Sequence, residues 1–459
     1  MKRNSFCPSE RVSRAERWLG YLLGPLGYGL LSMLVGSYLN VYYTDVCGLG
    51  TLWNGRFMSI YPVVVKVLGV LGCLAAGRLV DRTHTAAGKA RPWLLCAALL
   101  LPVSGMLLFL VPSGPLAAWA VLGSNVLYFA VSSTLYATAN TLMIPLATTD
   151  AGARSRLAVT ANAQVLITGS AVALVFPTVI LPLIGVDAGR WLRVFGLTSL
   201  LALPLLLVQY LFTRERVTER AAATVAGPRL GLREQLRCCR KSRSWVVLMV
   251  YFLLLGLANN LSGVSTFYYC NWVLGSYNDG LTQTLFYAVG NFPMGIGVFL
   301  CNPICRRIGR QRAMAGGFLL SAVGLLVCLL FPRSLPLVLA GQMLKACGTI
   351  PSTYLVSLLL GEALDDVELR SGVRCDGFTS SLYNALTTLC SGAALSILNA
   401  GMALCGYVAP AAGAVAQPAA VEQFFVLCQM GAPLLIYPVL ALLLRAFRPG
   451  EVQAERCAA

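Results

Sequence analysis

Apolar residues run in stretches of about 20 or more along the whole chain, separated by short polar and mostly basic interruptions. Each stretch can cross a hydrocarbon layer of roughly 30 Å as a helix, whose backbone groups bond internally where no water is available. The pattern predicts an all-α membrane protein of twelve transmembrane helices, centred near residues 30, 67, 102, 130, 171, 202, 258, 293, 323, 348, 390 and 434. The first stretch is too long for a removable signal peptide and lacks a cleavage pattern. The longest polar interruption, TRERVTERAAATVAGPRLGLREQLRCCRKSRSW from Thr213 to Trp245, holds nine Lys and Arg. It divides the chain into an N-terminal segment 1–17, a first six-helix bundle 18–213, a basic loop 214–244, a second six-helix bundle 245–446 and a tail 447–459.

Composition agrees and narrows the classes. Hydrophobic residues make up 57% of the 459 positions and charged residues 12%, against roughly 25% charged in a soluble domain. The net charge of +17 could suggest nucleic acid, but its placement follows topology. Arg56, Arg190, Arg193 and Arg333 fall on one side, Lys66 and Lys345 within the spans, and the other 29 of the 35 Lys and Arg on the opposite side. The positive-inside rule makes that side cytoplasmic, with both termini there, in a multi-pass protein of the cell membrane that has no nucleic-acid partner. The sixteen cysteines are scattered through spans and inner loops, which argues against a disulfide framework. Cys238-Cys239 and Cys301-Cys305 find no second pair, and His84 is the sole histidine, so neither a metal nor a cofactor is expected. No nucleophile and base stand together, so the chain does not read as an enzyme.

Two lysines break the apolar runs. Lys66 lies about ten residues from either end of its run, roughly 15 Å from each interface. A stem of about 6 Å does not reach that far, so the charge has to face a wet cavity or a ligand. Gly69 and Cys73 share its helix face at i+3 and i+7, where small residues predict close helix packing. Lys345, in AGQMLKACGTIPSTYL, sits at similar depth with Gln342 one turn away. None of the 18 acidic residues lies mid-span.

Several motifs carry a family resemblance. GRLVDRT (Gly77 to Thr83) and CRRIGRQR (Cys305 to Arg312) punctuate the two halves after their second helices, a weak internal repeat. The spacing of Gly77, Asp81 and Arg82 resembles the inner-loop motif of the major facilitator superfamily. SYLNVYYTDVCGL (Ser37 to Leu49), GKARPW (Gly88 to Trp93), PLATTDAGARSRL (Pro145 to Leu157) and LGEALDDVELRSGVRCDG (Leu360 to Gly377) resemble the glycoside-pentoside-hexuronide symporters, the family of the melibiose permease. The resemblance implies the major-facilitator fold, two six-helix bundles with a midplane cavity that opens alternately to each side. It also locates departures. The two cation-binding aspartates of helix 2 in melibiose-permease-like members fall at Gly69 and Cys73. Sugar-contacting aspartates of helices 1 and 4 fall at Gly29 and Ala137, the helix 5 arginine at Asn162 and the helix 11 lysine at Thr388. Only the basic residue of helix 2 persists in type, as Lys66.

The expected function is secondary transport, by alternating access, of a small polar solute, a sugar or sugar derivative, without the sodium-carboxylate site of the relatives. A lipid or amphiphile transporter and a non-transporting sensor are the alternatives. Candidate substrate-binding residues are Lys66, Asn140, Thr141, Asn162, Gln164, Lys345, Tyr354 and Thr388. Asp81 and Arg82 are candidate gating residues, with Glu362, Asp365 and Arg374 near them. The expected partners are the solute, the bilayer and a proton, since an anion bound at Lys66 would be held together with the proton on its amine.

Overall fold

In the computed structural model of the chain, the described residues are 12–447 except 54, 84, 86–87, 113, 115, 149, 217–231, 276–279, 372–375 and 411–415. Regular structure among them is helical, apart from an isolated bridge between Thr85 and Gly88. The long helices are α1 (Glu16–Val46), α2 (Phe57–Val80), α3 (Arg91–Leu107), α4 (Ala117–Ala147), α5 (Gly152–Ile184), α6 (Ala188–Phe212), α7 (Arg243–Leu274), α8 (Gly280–Ile308), α9 (Arg310–Leu330), α10 (Leu335–Ser371), α11 (Phe378–Cys405) and α12 (Ala419–Ala446). Ten have the length and apolarity to cross a membrane; α3 is shorter at 17 residues, and α8 carries Pro293 and Pro303. Each of the twelve expected centres falls inside one of these helices, consistent with twelve crossings.

The chain forms two compact units, Met1–Pro228 with Ala409–Ala414, and Arg229–Val408 with Val415–Ala459. Large apolar side chains such as Leu166, Leu200, Leu201, Leu404 and Leu435 stand exposed on the helices. In a membrane helix that face meets lipid tails, so burying it is not what drives folding. The cores combine buried aliphatic residues such as Leu31, Leu101, Leu325 and Leu398 with aromatic contacts. In the first unit Phe109 and Phe195 stack with centroids 3.8 Å apart beside Trp191 and Phe176. In the second, Tyr268 stacks on Phe425 at 5.4 Å.

Several helices are widened by π-helical turns, among them Val126–Ser132 in α4 and Leu427–Gly431 in α12. The acidic stretch that follows the tenth expected centre is helical. α10 breaks at Leu355, four residues beyond Pro351, and then continues through Val356–Ser371. Leu, Glu and Ala favour the helix there, and no proline ends it before Ser371.

Candidate functional site

Lys66 lies nine residues after Phe57 and fourteen before Val80 on α2, about 14 and 21 Å along the axis. Its Nζ rests 4.2 Å from the centre of the Phe129 ring, within the range at which the negative face of an aromatic ring attracts an ammonium. The amine makes no hydrogen bond or ion pair among the described residues. Phe129 belongs to the π-helical turn of α4, and such a turn re-aims side chains that a regular helix would carry elsewhere. The backbones of α2 and α4 meet at Gly72, where a Cβ would lie 1.9 Å from the Ala130 carbonyl oxygen. The close packing expected at Gly69 and Cys73 therefore falls between them. A Cβ on Gly69 would have Phe129 O as its nearest neighbour at 3.7 Å, and Cys73 is exposed. Adjacent residues stand about 100° apart around a helix, so one face cannot serve Gly72 and Cys73 equally.

The other candidates of the first unit occupy separate places. Asn140 Oδ1 accepts from Gln209 Nε2 at 2.6 Å, and Gln209 Oε1 accepts from Tyr136 Oη at 2.6 Å. Tyr136 stacks on Tyr28 at 4.3 Å. Gln164 is buried and donates to Thr168 Oγ1 at 2.8 Å. It roofs Gly29, whose Cβ would lie 2.2 Å from Gln164 Nε2. The position where the resemblance puts a sugar-contacting aspartate is thus occupied from above by an amide. Thr141 bonds its own helix at Ala137 O, and Asn162 is exposed.

The second unit encloses a cavity of about 240 Å³ whose lining includes Lys345, Gln342, Ser262, Thr266 and Gln429. Lys345 Nζ donates to Ser262 Oγ at 2.9 Å, and that hydroxyl donates to Gln429 O at 3.3 Å. Gln429 sits in the π-helical turn of α12, where the widened ladder frees a carbonyl. Its side-chain Oε1 accepts from Ser265 Oγ at 2.8 Å and Thr266 Oγ1 at 3.2 Å. Gln342 is 6% exposed, and its Nε2 has no hydrogen-bond partner. Among the described residues, no carboxylate lines the cavity. Tyr354 and Thr388 are outside the lining; Tyr354 Oη donates to Met294 O and Thr388 Oγ1 to Asn384 O, both at 2.8 Å. Ser262 and Gln429 were not among the sequence candidates, because their pairing with Lys345 depends on tertiary contacts alone.

At the polar end of the first unit, Asp81 closes its helix, with its side chain outside the described residues, and Arg82 is exposed. The GKARPW motif there forms a cradle. Gly88 has φ +114°, a conformation suited to glycine, and a Cβ on it would lie 2.4 Å from Glu215 Cδ. Glu215 accepts from the backbone N–H groups of Lys89, Ala90 and Arg91 at 2.9, 2.8 and 2.6 Å. Arg91 donates back to Tyr210 O and lies over the Tyr210 ring. The next residue, Arg216, forms a buried pair with Glu16 at 2.7 Å. In the second unit Glu362 pairs with Arg310, and Asp366, 1% exposed, accepts from Ser242 Oγ at 2.5 Å and from Arg370. Asp365 projects from the same helix, and Arg374 lies outside the described residues.

The family model described as MFS/sugar transport protein matches residues 20–449. An isoprimeverose transporter of Lactiplantibacillus pentosus is 26% identical over 440 residues, 90% of this chain and 85% of that one. A glucuronide carrier protein homolog of Escherichia coli (strain K12) is 25% identical over 405 residues, 85% of this chain and 84% of that one. Among solved structures, a D-xylose-proton symporter superposes with a TM-score of 0.62 at 14% identity, over 95% of this chain and 98% of that one, a likeness of fold.

Proposed function

The chain belongs to the MFS/sugar transport protein family, whose members are membrane transporters and not enzymes, and from that premise we propose how this transporter is coupled and what it carries. The solute is a hydroxyl-rich sugar or sugar derivative, moved across the cell membrane by alternating access with both termini cytoplasmic. Coupling runs through a proton on Lys66 and not through sodium. The observation that carries this is the Lys66 amine, held mid-span on the Phe129 ring with no ion pair among the described residues. Sodium is a hard cation that favours carboxylate and carbonyl oxygens, and no side-chain carboxylate is available at Gly69 or Cys73. A protonated Lys66 attracts hydroxyl or acid oxygens of the solute through charge-assisted hydrogen bonds.

Relatives named for isoprimeverose and for a glucuronide support a glycosidic solute. Lys345 serves the same solute, and Asn140, Thr141, Asn162, Gln164, Tyr354 and Thr388 are the remaining candidates for its path. Asp81 and Arg82, with Glu362, Asp365 and Arg374, are the proposed cytoplasmic gate.

The test is uptake of a labelled hexose or hexuronate into proteoliposomes under an imposed proton or sodium gradient. A proton gradient, outside acid, should drive accumulation that Lys66→Met loses while still equilibrating the solute. Accumulation driven by sodium alone would overturn the proposal.

A further inference from the structure

The cavity of the second unit carries N–H donors that its described walls do not engage. Lys345 Nζ has three N–H bonds and gives one to Ser262 Oγ. Gln342, one turn earlier on α10, has two on Nε2, gives neither, and is 94% buried by its 6% exposure. Two amide oxygens of the lining are already engaged: Gln429 Oε1 accepts from two hydroxyls, and Asn259 Oδ1 accepts from Tyr437 Oη at 3.4 Å. An ammonium with two N–H bonds left over beside a buried amide nitrogen with no partner makes the lining complementary to oxygens that bring negative charge. At roughly 30 Å³ per water, 240 Å³ equals about eight waters, more space than a halide requires. Hydroxyls of Ser262 and Thr266 beside the two donors suit a ligand that carries hydroxyls next to its acid group.

We infer that this cavity is a subsite for the acid group of a hydroxylated monoanion. Lys345 Nζ and Gln342 Nε2 hold its carboxylate or sulfonate oxygens, and the site makes the transporter prefer acidic sugars to neutral ones. This rests on the reading that the chain carries polar solutes. It assigns selectivity to Lys345 and leaves proton coupling to Lys66. A lysine that only tied α10 to α7 through Ser262 would affect stability and leave ligand preference unchanged.

The test measures binding of D-glucuronate and D-glucose to the purified full chain by calorimetry, and uptake of both into proteoliposomes. Wild-type protein should favour glucuronate at least tenfold. Lys345→Met should bring the ratio to about one, Gln342→Leu should lower it several-fold, and Lys345→Arg should restore most of it. Should Lys345→Met fail to fold, Gln342→Leu carries the test, because it removes no charge. A ratio that survives both Lys345→Met and Gln342→Leu, or a wild-type preference for glucose, overturns the inference. Uptake of glucose without glucuronate preference sinks the inference and leaves the transport reading intact. Failure to bind or move either sugar counts against both.

Discussion

Gly72 and Gly69 stand three residues apart on α2, and the structure separates them by what a methyl group would meet. At Gly72 it would strike the Ala130 carbonyl at 1.9 Å; at Gly69 it would have 3.7 Å of room. Gly72→Ala should therefore cost about 1–3 kcal/mol through forced separation of α2 and α4, read as a lower melting temperature in detergent. Gly69→Ala should melt like wild type. Equal melting of the two would mean that α2 and α4 do not meet at Gly72. Lys66, on the same helix, makes a second residue-scale prediction. Its charge is present below its pKa and lost above it, so solute affinity should weaken as pH rises through that value. Lys66→Met should bind more weakly at low pH and show a flat profile. An unchanged profile in that variant would assign the pH dependence to another group. The mid-span position of Lys66 was legible from the sequence because depth follows from counting residues in an apolar run. Its Phe129 partner was not, since that contact depends on a π-helical turn that no motif announces.

At the scale of elements, the polar end of the first unit is tied together by residues of the stretch that the sequence assigned to a loop. Glu215 occupies the three N–H groups that open α3, and Arg216 reaches Glu16 at the start of α1. GKARPW was legible as a motif, but its physical role as a cradle for a carboxylate 124 to 126 residues away was not. Replacing that carboxylate by an amide points an NH₂ at one or more of the donors it served. Glu215→Gln should thus lower stability by about 1.5–3 kcal/mol. Gly88→Ala should do at least as much damage, since it combines an unsuitable φ with a clash against Glu215. The Glu16–Arg216 pair is 4% and 12% exposed, so Glu16→Ala takes the carboxylate away from a buried guanidinium at a cost of about 3–5 kcal/mol. Pairing Glu16→Leu with Arg216→Met should recover much of that loss in chemical denaturation. A double variant no better than Glu16→Ala would show that Arg216 also holds this end through its side-chain bond to Ala147 O at 3.5 Å.

At the scale of the whole molecule, the places of the long helices could be read from hydropathy, ten of them of spanning length, because a bilayer leaves a chain few ways to cross it. The surroundings of the candidate solute-binding residues were less legible, since their partners are distant in sequence; Lys345 and Ser262 are 83 residues apart. Alternating access adds a requirement that neither lysine meets, namely a gate that closes one side. Asp81 and Arg82 occupy the family's inner-loop motif, and neutralising Asp81 should slow uptake while leaving solute affinity nearly unchanged; Asp81→Asn that transports at the wild-type rate would remove it from the gate. Coupling makes the last prediction. A sodium-driven carrier must bind the ion in the membrane, and the positions that resemble the relatives' cation carboxylates hold Gly69 and Cys73. Uptake by the wild-type chain should therefore be indifferent to a sodium gradient across proteoliposomes at constant pH. The room at Gly69 and the exposure of Cys73 allow both to become aspartate without a clash at Cβ. The Gly69→Asp, Cys73→Asp variant would place two carboxylates near the Lys66 amine, and these should pair with it or with a cation. If they create a cation site, uptake should gain sodium dependence and lose part of its pH dependence together, because the lysine charge would then have an internal partner. Steep sodium dependence in the wild type would show instead that backbone carbonyls or hydroxyls bind the ion, and would move the coupling site away from Lys66.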